Sequence, residues 1–338
     1  MSIYSWQSAL WEKLLQSKAR LPHALLLRGQ EGIGKLDFAM ALTHALLCKS
    51  PLANGQACGT CSSCIWLSQS HHPDFRLLSP EFESDNGEDA PVAVASSKKT
   101  QISVAQIREL STFLELSSHQ SEGRRIVLVH PAEALNLASA NALLKILEEP
   151  PAGVIFFLVS HQPQRLLPTI LSRCQKIDMP VPQPETATAW LAEQGVKDPS
   201  RHLAYSGGSP LLALRNAGEG VGAMDEICKS LSHGPRMDPF ATASLCAKQG
   251  MGIAVQALQK WVYDLANLQL TGEVRYYEPY RNALQALAKS ADLSLLFDYQ
   301  RKLDQAKKTA THPLNSELQL ENLLLQYTQI FPISQRLR

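Results

Sequence analysis

The sequence lacks any block of like charge. Its 32 lysines and arginines stand against 31 aspartates and glutamates, a formal net charge of +1 over 338 residues. Affinity for a phosphate backbone comes mainly from clustered cations, so strong autonomous binding to nucleic acid is not expected. No apolar run reaches the length of a membrane span. Met1 to Trp11 shows no basic region followed by an apolar core, so a secretory signal is not expected and the protein is read as cytoplasmic. There is no internal repeat of fixed period. With 45% hydrophobic and 19% charged residues, the composition is that of an ordinary soluble globular chain of two or three domains.

What is present is a phosphate-binding pattern. Residues 29 to 36 read Gly-Gln-Glu-Gly-Ile-Gly-Lys-Leu, after the apolar run His23 to Leu27 and before the apolar-periodic segment Leu36 to Leu47. Strand, glycine loop and helix in that order make a P-loop. Gly29, Gly32 and Gly34 let the backbone approach a phosphate, and Lys35 is placed to reach its oxygens. Two companions are missing. The hydroxyl that should follow the lysine and hold magnesium is replaced by Leu36. The strand Arg125 to Val129 should end in two acids, one for the metal and one for the attacking water; it ends in His130 and Pro131, with Glu133 two residues further on. No magnesium site and no hydrolysis by this chain alone is the favoured expectation; these losses put ATP binding itself in doubt, although the glycines and Lys35 leave room for a nucleotide or phosphate. A slow ATPase using Lys35 and unexpected metal ligands is the alternative.

The periodicities predict alternating helices and strands. Ile3, Trp6, Leu10, Leu14 and Leu15 mark an amphipathic helix over residues 2 to 19; a short helix follows at Ile65 to Gln69, and Asp74 to Leu78 reads as a strand. Residues 80 to 100 read as a polar surface loop. Ser103 and Gln106 form a capping box for the next helix. Ala138 to Glu149 is a helix stopped by Pro150-Pro151, and Val154 to Ser160 and Gln175 to Met179 are further strands. The expected fold is therefore α/β: a parallel sheet covered on both faces over residues 1 to 180, ending at Pro180, Pro182 and Pro184. Small helices around Gly207-Gly208 fill residues 181 to 216, and 217 to 338 shows only helical periodicity. The stretch Arg275 to Arg281, rich in tyrosine, is either a base-stacking platform or a proline-bearing surface loop.

Cysteine is not scarce. There are seven, and Cys58, Cys61 and Cys64 lie in two tight spacings with Cys48 upstream. Four thiolates with no open position suit a closed, structural zinc site in an insertion near 48 to 64, in a reducing compartment. His71 and His72 compete with Cys48 as the fourth ligand.

Asn141-Ala142-Leu143-Leu144-Lys145 with Ser172-Arg173-Cys174, at this spacing, resembles the clamp-loader branch of the AAA+ family, as found in the bacterial DNA polymerase III holoenzyme. The resemblance covers nearly all of the first 215 residues. It implies a RecA-like domain, a helical lid and an all-α collar domain that packs into a pentameric ring. Motor subunits of that group, gamma and tau, keep the metal-binding residues missing here, so the chain is most like a non-motor subunit. The implied partners are those motors, the delta subunit, the sliding clamp and, through the whole complex, primer-template DNA. The implied role of Arg173 is that of an arginine finger on a neighbour's ATP, where a planar guanidinium neutralises charge on the transferred phosphoryl group; pairing with a local carboxylate is its bland alternative. The lid segment Gly208-Ser209-Pro210-Leu211 lacks the arginine that active relatives place there, and Ser160-His161 occupies a phosphate-sensing position.

Overall fold

A computed structural model of the chain describes residues 3–80, 101–115, 124–218, 221–309 and 315–332. The tract expected to be a polar loop, 80 to 100, lies almost wholly outside the described residues. The chain divides into two compact units, Met1–Gln183 and Pro184–Arg338.

The first unit is built on strands β1 (Ala24–Arg28), β2 (Phe75–Leu78), β3 (Arg125–Val129), β4 (Val154–Ser160) and β5 (Gln175–Asp178). All neighbouring pairs are parallel and the order is β2-β3-β4-β1-β5. The register sets Leu26 against Leu158, Phe157 against Leu128, and Ile126 against Phe75. Strands buried on both faces carry apolar residues continuously, and β3 and β4 are buried at every position.

Alternation decides which helices each strand residue meets. Helices α1 (Ser8–Gln16) and α2 (Lys35–Leu47) pack Trp11, Leu14, Phe38 and Leu42 on Leu25, Leu27, Leu128 and Phe157. A short helix, α3 (Ser62–Ser68), follows the cysteine segment. On the opposite face, α4 (Val104–Glu115), α5 (Leu137–Glu148) and α6 (Pro168–Arg173) bring Ile107, Leu110, Leu143 and Ile170 onto Leu26, Val127, Phe156 and Leu158. The fold is the α/β type expected, a parallel sheet with helices on both faces.

The local signals act as expected. Gln106 Oε1 accepts from Ser103 N at 2.9 Å, closing the capping box of α4. Asn136 Oδ1 accepts from Ser139 N at 2.9 Å and starts α5 one residue earlier than the periodicity predicts. The N-terminal helix is shorter than expected. Its first turn is a tight 3-10 turn, Ser5–Gln7, because Trp6 and Gln7 spend their polar groups on the P-loop.

Among its described residues the second unit has helices and no strand: α7 (Pro184–Glu193), α8 (Pro199–Tyr205), α9 (Pro210–Gly218), α10 (Val221–Leu231), α11 (Pro239–Gln249), α12 (Met251–Thr271), α13 (Arg281–Ala288), α14 (Leu293–Thr309) and α15 (Ser316–Gln329). Ala187, Leu191, Leu203 and Ala213 form a small core of their own. A larger one gathers around Trp261, Leu258, Leu324 and Tyr327. There the Trp261 indole donates to Tyr327 Oη at 2.9 Å, and the Tyr327 hydroxyl donates to Leu231 O at the same distance. No helix among the described residues is long and apolar enough to cross a membrane.

Candidate functional site

Parallel pairing brings the carboxyl ends of β1, β3 and β4 to one edge of the sheet, where ligands of open α/β folds bind. The residues delivered there are Gly29 after β1, His130 after β3 and His161 after β4. Gly34 caps α2 with φ of 84°, a left-handed conformation that a side chain rarely adopts. A Cβ there would lie 2.5 Å from the Tyr4 ring.

Lys35 is 2% exposed. Its ammonium donates to Gly29 O at 2.8 Å and Gln30 O at 2.5 Å, so it is folded back on its own loop. Burial pushes its pKa down to about 8, against the opposing fields of Glu133 and Glu31. Leu36 packs into the apolar layer between α2 and the sheet.

His130 stands where the first acid is required. Burial, with smaller contributions from His161 and Lys35, pushes its pKa down to about 4, so the ring is neutral near pH 7. The His130 and His161 rings meet edge to face, centroids 5.4 Å apart. Glu133, on a tight turn after Pro131, accepts from His161 N at 3.0 Å through Oε1, while its buried Oε2 has no partner. Its reach across to β4 has no local signature in sequence.

Over the loop lies a lid that periodicity alone did not reveal. Gln7 Nε2 donates to Ile33 O and Gly34 O at 3.0 and 2.9 Å, Trp6 Nε1 to Ile33 O at 3.1 Å, and Tyr4 Oη to Asp37 at 3.2 Å. One signal was available: Gln7 is a polar residue on the apolar face shared by Ile3, Leu10 and Leu14.

Arg173 is the last residue of α6 and is about one-third exposed. Its Nη1 donates to Thr169 O at 3.0 Å, and its Nη2 lies 2.6 Å from Glu148 Oε1 at the end of α5. The local carboxylate is real. Both partners are exposed, and such a pair holds only about 0–1 kcal/mol.

The sulfurs of Cys48, Cys58, Cys61 and Cys64 all lie within 4.8 Å of one another. Cys48 and Cys61 are 3.9 Å apart, and Cys58 and Cys64 are 4.0 Å apart. Four thiolates about 2.3 Å from a tetrahedral ion would be about 3.8 Å apart, so the set fits a four-coordinate metal. Backbone N–H groups already point at the sulfurs, Cys58 N at Cys48 Sγ and Cys61 N at Cys58 Sγ, each 3.3 Å. Hydrogen bonds from Thr60 and Cys61 lower the Cys58 pKa to about 6, whereas burial raises that of Cys64 to about 12. The histidines are engaged elsewhere. His72 is buried, with Nε2 on Ser63 Oγ at 2.9 Å and Nδ1 accepting from Asp74 N at 3.0 Å. His71 Nδ1 meets the Gln69 carbonyl. Cys48 is therefore the residue that completes the group.

The tyrosine stretch is a packed loop. Asp264, fully buried in α12, accepts from the backbone N–H groups of Arg275, Tyr276 and Tyr277 at 2.8–3.2 Å. Tyr277 is 4% exposed and donates to Ala257 O at 3.1 Å, and the Lys260 ammonium covers the Tyr205 ring at 3.5 Å.

The family model described as DNA polymerase III, delta subunit, matches residues 6–183. A DNA polymerase III subunit delta′ from Pseudomonas aeruginosa is 36% identical over 97% of this chain and 98% of its own length. The subunit of that name from Escherichia coli is 34% identical over 69% of this chain and 66% of its own. A solved DNA polymerase III gamma subunit-related protein from Thermotoga maritima covers 95% of this chain and 99% of its own at 19% identity, with a TM-score of 0.44. The first of these relatives matches nearly the whole chain, and on that breadth the chain belongs to the DNA polymerase III delta′ family.

Proposed function

We propose that this clamp-loader subunit works as a stator. It helps load the sliding clamp on primed DNA in the cytoplasm by holding motor subunits of the gamma and tau kind, with the delta subunit, in one ring. Residues 1 to 180 serve as the RecA-like domain, 181 to 216 as the lid and 217 to 338 as the oligomerising collar. Arg173 is offered to the ATP of the adjacent motor, while Gly29, Gly32, Gly34 and Lys35 remain as scaffold.

The observation that carries this reading is the end of β3. His130, neutral at physiological pH, and Pro131 stand there, and Leu36 is half-buried against the apolar core. None of them supplies an oxygen for magnesium. Arg173, by contrast, is on the surface, its Nη1 bonded to Thr169 O and its Nη2 paired only with the exposed Glu148 carboxylate. The cysteine group is assigned zinc, since four soft ligands without an open position give a closed structural site. Such an ion would fix the segment between α2 and α3, which has little apolar residue content to bury.

The test is reconstitution of the full loader with Arg173→Ala. DNA-stimulated ATP turnover and clamp loading should both fall. Unchanged turnover and loading would remove the finger, and substantial turnover by the isolated chain, abolished by Lys35→Ala, would replace the stator with an ATPase.

A further inference from the structure

The Arg173 guanidinium is held by a carboxylate at the end of the neighbouring helix α5, and that contact has the properties of a catch. We propose that Glu148 is a positioning residue for Arg173: it parks the guanidinium on the chain's own surface and yields it when a neighbouring subunit presents a nucleoside triphosphate. The inference rests on the reading of Arg173 as a finger.

Three features carry it. The first is the asymmetry of the fork. Nη1 is tied to Thr169 O at 3.0 Å and lies 3.4 Å from Ser172 Oγ, both on α6, whereas Nη2 alone meets Glu148 Oε1 at 2.6 Å. The root of the guanidinium is fixed by its own helix, and its tip is held by a single carboxylate oxygen. A triphosphate offers more charge and a two-oxygen match to the planar fork, so it outcompetes a one-oxygen contact.

The second is exposure. Arg173 and Glu148 are 34% and 49% exposed, which makes the pair weak enough to exchange. A buried pair would resist release; this one competes without blocking.

The third is the place of Glu148 in its helix. It is the last residue of α5, where the macrodipole is negative and a second acid, Glu149, follows immediately. A carboxylate there works against the helix. Local stability gives no reason for it, and the contact with Arg173 does.

The experiment is a steady-state comparison in the fully reconstituted loader, with ATP as the varied ligand. Glu148→Gln keeps the shape of the side chain and removes the charge that competes with phosphate. The half-saturating ATP concentration for DNA-stimulated turnover should fall about two- to fivefold, the range spanned by an exposed ion pair, with maximal turnover unchanged. Glu149→Gln removes the same charge from the same helix end and should leave that concentration unchanged. In an Arg173→Ala background, Glu148→Gln should have no effect. If Arg173→Ala lowers turnover while Glu148→Gln leaves half-saturation unchanged or raises it, the parking role is overturned and the finger stands. If Arg173→Ala changes nothing, the finger itself fails and the parking role fails with it. An equal shift from Glu149→Gln would assign the effect to the helix end and overturn the catch.

Discussion

The side-chain amide of Gln7 donates to the carbonyl of Gly34 at 2.9 Å, joining the first turn of the chain to the residue that starts α2. The same amide reaches Ile33 O, and Gln7 is fully buried. Gln7→Leu fills a similar volume but removes both donors from a water-free site. The chain should lose about 1–2 kcal/mol of stability, read as a lower urea midpoint with an unchanged slope. A change within experimental error would mean that the lid over the P-loop contributes nothing to the fold.

Gly34 is the complementary test from the other side of that bond. Alanine at φ of 84° is strained by its backbone alone, and its Cβ would meet Tyr4 at 2.5 Å and Gln7 Nε2 at 2.9 Å. Gly34→Ala should destabilise the chain by more than about 1 kcal/mol, and Tyr4→Ala in the same chain should recover part of the loss. Thermal denaturation of the two variants and their double mutant measures the coupling.

His130 makes stability depend on acid. Its pKa is about 4 in the folded chain against an ordinary 6.5, so between these limits the unfolded chain binds the proton and the folded one resists it. The contribution is complete above pH 6.5 and is lost as pH falls toward 4. After discounting for partial exposure it amounts to about 1–2 kcal/mol. His130→Gln should flatten the fall in stability between pH 7 and 4.5 by that amount. An unchanged difference between those two pH values would show that the ring titrates freely.

The four-cysteine group predicts one zinc per chain. A chelator that removes it, or Cys64→Ser, should lower the melting temperature, because ion binding is coupled to the order of the loop it closes. His72→Ala should leave the metal content at one per chain, since both of that ring's nitrogens bond within the protein. Loss of zinc from the His72 variant would return the histidine to the ligand set.

These sites were unequally legible in the sequence. The strands Val154–Ser160 and Arg125–Val129 announced themselves because burial on both faces demands unbroken apolar runs. Cys58, Cys61 and Cys64 were visible through their spacing and Cys48 was the favoured fourth ligand, but His72 stayed a competitor until both its nitrogens were seen to be occupied. The role of Asp264 was invisible, since its partners, the N–H groups of Arg275 to Tyr277, follow at a distance set by a loop and not by any period. Glu148 was hidden differently. It sits in the helix expected over Ala138 to Glu149, yet only the meeting of two helix ends pairs it with Arg173.

Lys35 separates scaffold from catalyst. Lys35 is 2% exposed and its ammonium is bonded to Gly29 O and Gln30 O, so a nucleotide would have to draw it off two carbonyls that would then lack a donor. It would also have to bring a triphosphate beside Glu133 and Glu31 with no magnesium ligand from Leu36, His130 or Pro131 to offset the charge. If the loop is scaffold, Lys35→Met should cost the isolated chain about 1–3 kcal/mol through the unmet carbonyls, seen in denaturant melts. In the reconstituted loader the same variant should keep ATP turnover within about twofold of the parent, since the chemistry proceeds on the neighbour's nucleotide. A fall in turnover as large as that of Arg173→Ala would put Lys35 on a phosphate of its own and end the scaffold reading.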